Sequence, residues 1–196
     1  MTKVIIAMSI SPNGLTARED GQEDWLPSSN ADDFYTDAKR FNNFIMGRET
    51  YELVTKFSPD YFNRVNAQYK IIVTRNTSFS ADGYIVLHSP EEVISFLEQQ
   101  GVEDAFIIGG GKLITEYIKR GLVDEIWLTI TPYIIGKGRP LIDPDEFDLP
   151  LELIEHRELS GGRILAKYKV ASKNIYMDDA SEIDDNFIDV REKVTK

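Results

Sequence analysis

Phe106-Ile107-Ile108-Gly109-Gly110-Gly111-Lys112 compresses the end of a strand, a turn and the start of a helix into seven consecutive residues. The apolar run Ala105–Ile108 predicts a buried strand, and the spacing beyond it predicts a helix over Lys112–Arg120 that stops at Gly121. A strand feeding a helix through a tight turn is the unit from which α/β proteins are built. Consecutive glycines at a helix start let backbone amides approach a phosphate closely, with the helix dipole favouring its charge. A plain tight turn uses the same residues, and both readings stand at this point. The spacing is not a Rossmann fingerprint, because the third residue after Gly111 is Ile114 where a small residue is needed. No Lys-Ser/Thr pair follows for a triphosphate loop either.

Upstream, Val4–Met8 reads as a short apolar strand ending at Ser11-Pro12-Asn13-Gly14, and a polar loop then leads to Trp25-Leu26-Pro27. Phe34, Tyr35, Ala38 and Phe41 fall at helical spacing over Ala31–Phe41, with Asn30 placed to cap the helix. Phe44-Ile45-Met46 predicts a buried strand that runs through Gly47-Arg48-Glu49-Thr50 into a helix ending near Phe57. Two more strands are predicted at Ile71–Thr74 and Tyr84–Leu87. Ser89-Pro90-Glu91-Glu92 then supplies a capping hydroxyl, a first-turn proline and acids for a helix stopping at Gly101. Downstream, Glu125–Tyr133 alternates as a strand, and Leu151–His156 and Arg163–Val170 flank Ser160-Gly161-Gly162 as an antiparallel hairpin. Strands and helices interleave without an internal repeat, which predicts one α/β domain over residues 1–170. Residues 171–196, with seven acids and four bases, read as an appended acidic C-terminal tail.

The 22 Lys+Arg against 33 Asp+Glu leave a net charge of −11, which repels phosphate backbones and anionic lipid, so neither nucleic acid nor a membrane is an expected partner. No apolar run reaches the roughly 18 residues of a membrane helix, and the N-terminus enters Val4–Met8 without a leader pattern. A cytoplasmic protein is the expectation. The absence of cysteine removes disulfides, thiolate nucleophiles and Cys-containing zinc sites. His88 and His156 lie in no ligand spacing, so no metal is expected and neither histidine is given a role. Chemistry is left to carboxylates, hydroxyls, backbone amides and an organic cofactor.

Two other strand ends repeat the anion-compatible pattern. Gly47, Arg48 and Thr50 open a helix after one strand, and Thr74-Arg75 closes another. Each arginine taken singly reads as a solvated surface residue. Three such strand ends together point to an extended ligand carrying several phosphates, such as a dinucleotide.

Val4–Met8 with Gly14, Trp25-Leu26-Pro27, Met46–Glu52, Ile72–Asn76, Ile107–Gly111, Gly121–Glu125 and Pro132–Gly138 stand in the order of the landmarks of the dihydrofolate reductase superfamily, which the chain resembles over residues 2–170. Leu122-Val123-Asp124-Glu125 and the Gly136–Gly138 turn are most like the branch containing the riboflavin-biosynthesis reductase, the C-terminal domain of the bifunctional deaminase-reductase. The resemblance implies a twisted, mostly parallel eight-stranded sheet with an antiparallel C-terminal hairpin and helices on both faces.

It also implies NADPH as cofactor. Carried over by position, its pyrophosphate falls to Gly47, Arg48, Thr50 and to Ile108, Gly109, Gly110, Gly111, Lys112 and Leu113. Its 2′-phosphate falls to Thr74 and Arg75, and its nicotinamide to Ala7, Asn13 and Gly14. The anion argument reaches most of these residues independently, and Arg75 predicts NADPH over NADH. Substrate contacts fall to Trp25, Phe34 and Thr129, and the proton donor to Asp32 or Asp33 at the start of the helix after Trp-Leu-Pro, with Asp32 preferred. As ordinary features, first-turn acids stabilise a helix and aromatic residues fill a core.

The pattern departs from the riboflavin branch in two places. Ser9-Ile10-Ser11-Pro12-Asn13-Gly14 is longer than the branch's Ser-Leu-Asp-Gly, and the branch's Asp-Asp-Pro segment is missing. The zinc ligands of a deaminase are absent as well. The expected activity is reduction of a pyrimidine- or pterin-like heterocycle, most like 5-amino-6-(5-phosphoribosylamino)uracil, by a homodimer. Dihydrofolate reduction is the alternative, and a non-catalytic NADPH-binding module is the reading from another class.

Overall fold

The computed structural model describes residues 1–173. Ten strands and four α-helices follow in the order β1 (Lys3–Ile10), β2 (Leu15–Arg18), α1 (Ser29–Phe41), β3 (Asn43–Gly47), α2 (Arg48–Phe57), β4 (Tyr69–Val73), β5 (Ile85–Leu87), α3 (Pro90–Gln99), β6 (Asp104–Ile107), α4 (Gly111–Lys119), β7 (Glu125–Ile130), β8 (Gly138–Pro140), β9 (Leu151–Leu159) and β10 (Arg163–Val170). Eight strands form one sheet in the order β5-β4-β3-β6-β1-β7-β10-β9. The first six run parallel, and β10 and β9 close the sheet as an antiparallel hairpin, as the landmarks imply.

The short apolar runs form inner strands because both of their faces are buried. Alternate residues point to opposite sides. Val4, Ile6, Ile45, Ile71, Ala105 and Ile107 pack against Val93 and Leu97 of α3 and Leu113, Ile114, Tyr117 and Ile118 of α4. Ile5, Phe44, Met46, Ile72 and Phe106 pack on the other side against Ala38 and Phe41 of α1. The helices therefore cover both faces, and the C-terminal ends of the parallel strands lie along one edge, where ligands of open α/β sheets bind.

Several local expectations are corrected. The stretch read as an unbroken loop after Met8 contains β2, which pairs antiparallel with β8 more than a hundred residues away. A Cβ on Gly138 would collide with the Ala17 carbonyl, so this small sheet depends on glycine there. Helix α1 starts at Ser29 with Ser28, not Asn30, at the cap position, and no side chain caps it. The Asn30 side-chain carbonyl instead accepts a hydrogen bond from the Ser9 hydroxyl on β1. Ser89 caps α3 as expected, accepting from the Glu92 amide. The backbone ladder continues past residue 170, with Ala171 N–H donating to the Pro150 carbonyl at 2.9 Å. Lys173 pairs with Asp124 at 2.7 Å. The rest of the acidic tail lies outside the described residues.

Candidate active site

The C-terminal ends of β3, β4, β5 and β6 open onto a cleft of about 510 Å³. Two helices start at it. Helix α2 has Gly47 at its cap position and α4 has Gly110, and neither carries a side-chain cap. Their first-turn amides are left without a side-chain cap, an arrangement able to receive an anion. Close packing holds the two starts together. Gly47 N–H donates to the Gly109 carbonyl at 2.8 Å, and a Cβ added to Gly110 would lie 2.8 Å from Thr50 Oγ1. Gly109 sits at φ +111°, a conformation L side chains rarely adopt, and a Cβ added there would lie 3.1 Å from Met8 Sδ.

The charges around this cleft are mostly spent on one another. Arg48 pairs with Glu52 at 3.0 Å, Lys112 with Glu49 at 3.3 Å and Arg139 with Glu49 at 2.7 Å. Arg120 pairs with Glu91 at 2.6 Å and Glu116 at 3.1 Å. The hydrogen bond from Arg139, joined by Lys112, holds the Glu49 carboxyl below its usual range. Arg75 differs: beyond the end of β4, it has no hydrogen-bond or ion-pair partner among the described residues, and it lines the cleft.

Next to the cleft lies a smaller lobe of about 120 Å³, walled by Ala7, Phe34, Ile108, Trp127 and Thr129. Glu23, Thr50 and Val54 line both cavities, so the two form one trough. The lobe's carboxylates are Glu23, Asp33 and Asp37. Asp33 accepts from Arg163 Nη1 at 2.8 Å, and the Arg163 side chain is only 2% exposed. Its Nε donates to the Ser160 carbonyl at 3.1 Å, so Asp33 answers a buried cation and is not a free acid. Burial raises Asp37, opposed by the nearby Arg40. Glu23 has neither an ion pair nor a side-chain hydrogen bond among the described residues. Glu23 is exposed where the two cavities meet, and desolvation pushes its carboxyl up to about 7.

The sequence-derived residues divide accordingly. Gly47, Arg48, Thr50, Thr74, Arg75, Gly110, Gly111, Lys112 and Leu113 line the cleft, and Ala7, Ile108, Phe34 and Thr129 line the lobe. Gly109 lies in the turn between them. Asp32 is exposed on α1 and lines neither cavity, because its neighbour Asp33 takes the inward position on the helix. Asn13 and Gly14 also stay off the wall; Asn13 Nδ2 donates to the Ile135 carbonyl at 2.7 Å and ties its loop to the segment before β8. Trp25 is buried against Tyr133 with ring centres 6.2 Å apart, an anchor for the loop and not a substrate wall.

Sequence reasoning missed Glu23, Asp37 and Trp127. It also left His88 without a role, although His88 lines the cleft directly after β5. Its signal was available, since it follows an apolar run just as Thr74-Arg75 does. No group of three or more His, Cys, Asp and Glu among the described residues is placed to hold a metal ion. No helix among them is long and apolar enough to cross a membrane.

The family model of the RibD C-terminal domain matches residues 2–165. The chain belongs to this family, the RibD C-terminal branch of the dihydrofolate reductase superfamily. This RibD-type domain is 27% identical over 144 residues to the uncharacterized protein YwjB of Bacillus subtilis, covering 71% of this chain and 82% of that one. Among solved structures, a protein from Shewanella sp. PV-4 assigned to riboflavin biosynthesis superposes with a TM-score of 0.74 at 22% identity, covering 87% of this chain and all of that one. Dihydrofolate reductase from Enterococcus faecalis, solved with NADP(H), superposes at 0.64 with 17% identity, covering 87% and 97% of the two chains. At these identities the superpositions speak for the fold.

Proposed function

We propose that the RibD-type domain is an NADPH-dependent reductase that passes hydride to a pyrimidine- or pterin-like heterocycle. The observation that carries this reading is the unpaired Arg75 at the end of a cleft whose other cations are neutralised. A free guanidinium beside the Thr74 hydroxyl suits a phosphate dianion, and the uncapped starts of α2 and α4 suit a pyrophosphate. The glycine turn supports the fit, because a Cβ at Gly110 would fill the space beside Thr50. When bound, the cofactor supplies a hydride from nicotinamide C4. A flat acceptor fits the lobe between Phe34, Trp127 and Ile108, adjoining the cleft through Thr50.

Hydride addition to a C=N or C=O carbon leaves the heteroatom in need of a proton. Glu23 is the residue we assign to deliver it, in place of Asp32, which faces away, and Asp33, which is held by Arg163. Of the two activities the family landmarks suggest, the 5-amino-6-(5-phosphoribosylamino)uracil type is favoured, since neither helix-start acid is available for a dihydrofolate-type donor. The test is NADPH oxidation by the purified protein with that pyrimidine or with dihydrofolate. Oxidation with either supports a reductase and assigns its substrate, whereas tight NADPH binding with no oxidation by either favours a binding module.

A further inference from the structure

We infer that His88 is a proton-coupled ligand for the 2′-phosphate of the cofactor, so that discrimination between phosphorylated and unphosphorylated dinucleotides strengthens as pH falls. The inference rests on the cofactor reading above and concerns a residue that the family landmarks do not include. Strands β4 and β5 run parallel in register, Val73 opposite Leu87, so Thr74 and Arg75 leave one strand where His88 and Ser89 leave the next. His88 Nδ1 lies 2.8 Å from the Thr74 carbonyl, and a carbonyl only accepts, so Nδ1 carries the hydrogen. In the neutral ring, Nε2 is then a bare acceptor, and an acceptor repels a phosphate oxygen. Protonation turns the ring into a cation and Nε2 into a donor, in the cleft that Arg75 also lines. Phosphate binding and proton binding at His88 therefore favour each other.

Glu23 lines the same cleft with its carboxyl raised to about 7, so the share of the coupling that belongs to His88 is the part that His88→Gln removes. Glu92 on α3 accepts the His88 backbone N–H at 2.7 Å. On α4, Arg120 is matched by Glu91 and Glu116, and on α2, Arg48 is matched by Glu52. Arg75 stays charged at every accessible pH and supplies attraction that does not titrate.

The experiment is calorimetric titration of the full chain with 2′,5′-ADP and with 5′-AMP, which lacks only the 2′-phosphate, from about pH 6 to about pH 8.5, in buffers of different ionisation heat. The expected result is net proton uptake with 2′,5′-ADP and much less with 5′-AMP, with a 2′,5′-ADP preference roughly tenfold larger at the acid end. His88→Gln, which keeps a donor for the Thr74 carbonyl, should lose the extra uptake and the pH dependence while matching the parent near pH 8.5. Arg75→Gln should lose affinity at every pH and keep the slope. Equal proton uptake by the parent and His88→Gln overturns the inference and leaves the cofactor reading standing. Failure of 2′,5′-ADP and NADP⁺ alike to bind overturns both.

Discussion

Glu23 makes the sharpest demand on the reaction. A carboxyl at its ordinary value of 4.5 is almost wholly ionised at pH 7, whereas one raised to about 7 keeps a substantial acid fraction there. If Glu23 delivers the proton, kcat at saturating NADPH falls as pH rises through about 7 and then by roughly tenfold per unit. Glu23→Gln removes the ionisation while keeping the shape of the side chain. Its kcat should drop by roughly 10²- to 10⁴-fold and lose the inflection, with NADP⁺ affinity within about twofold of the parent. The assay is steady-state NADPH oxidation with the assigned substrate from about pH 5.5 to about pH 9, with cofactor affinity measured separately. Saturating cofactor keeps any pH dependence of cofactor binding out of kcat. Stability offers a second check. The native protein holds a proton on Glu23 that the unfolded chain releases between 4.5 and about 7, so stability from this group falls as pH rises across that window, and Glu23→Gln should remove the decline. A kcat profile that is flat through pH 7, or a Glu23→Gln variant that retains the inflection, refutes the assignment.

Other outcomes are expected elsewhere in the fold. Arg75→Ala should weaken NADPH by roughly 10- to 150-fold, the worth of a charge-assisted hydrogen bond, and leave NADH within about twofold; equal losses remove the 2′-phosphate assignment. Asp33→Ala strands the buried Arg163 guanidinium and should cost about 1–3 kcal/mol in urea denaturation, less than a fully buried pair because Asp33 is half exposed. Asp33→Leu combined with Arg163→Met should recover most of that loss if the role of the pair is structural. Gly110→Ala should push Thr50 aside and abolish measurable NADPH binding with the fold retained by circular dichroism, and unchanged binding would remove the cradle from the site. On the homodimer reading, Leu153→Glu on the edge strand β9, where Leu153 is 54% exposed beside an equally open Ile154, should shift sedimentation toward the monomer.

How much of this was legible in the sequence follows from how local each signal is. Inner parallel strands buried on both faces leave contiguous apolar runs, so β1, β3, β4 and β6 stand out, and glycine beside a strand end marks the turn that no side chain fits. Strand β2 leaves no such mark, because Leu15-Thr16-Ala17-Arg18 pairs with β8 across the length of the chain and only the contact at Gly138 explains it. The acids at the start of α1 show the same limit on a finer scale. Successive helical residues are turned roughly 100° apart, so Asp32 and Asp33 cannot both face the lobe, and helical spacing alone does not say which one does. The choice is made by Arg163, on a strand that arrives at the end of the domain. Glu23 lies in a loop with no periodicity to mark it, and its chemistry arises only where α2, the loop and the lobe converge.

His88 belongs to a different class of omission. The rule that picked out Arg75, a polar residue directly beyond a parallel strand of an α/β sheet, applies unchanged to the residue after Leu87. What hid His88 was the search for it as a metal ligand, a role that requires partners at set spacings. The phosphate role proposed for it requires only a place on the right edge of the sheet and a hydrogen bond that fixes which nitrogen carries the hydrogen, and the Thr74 carbonyl provides that bond. A histidine at this place is thus predictable from strand order once the edge is known, and its hydrogen-bond partner is the backbone beyond the neighbouring strand.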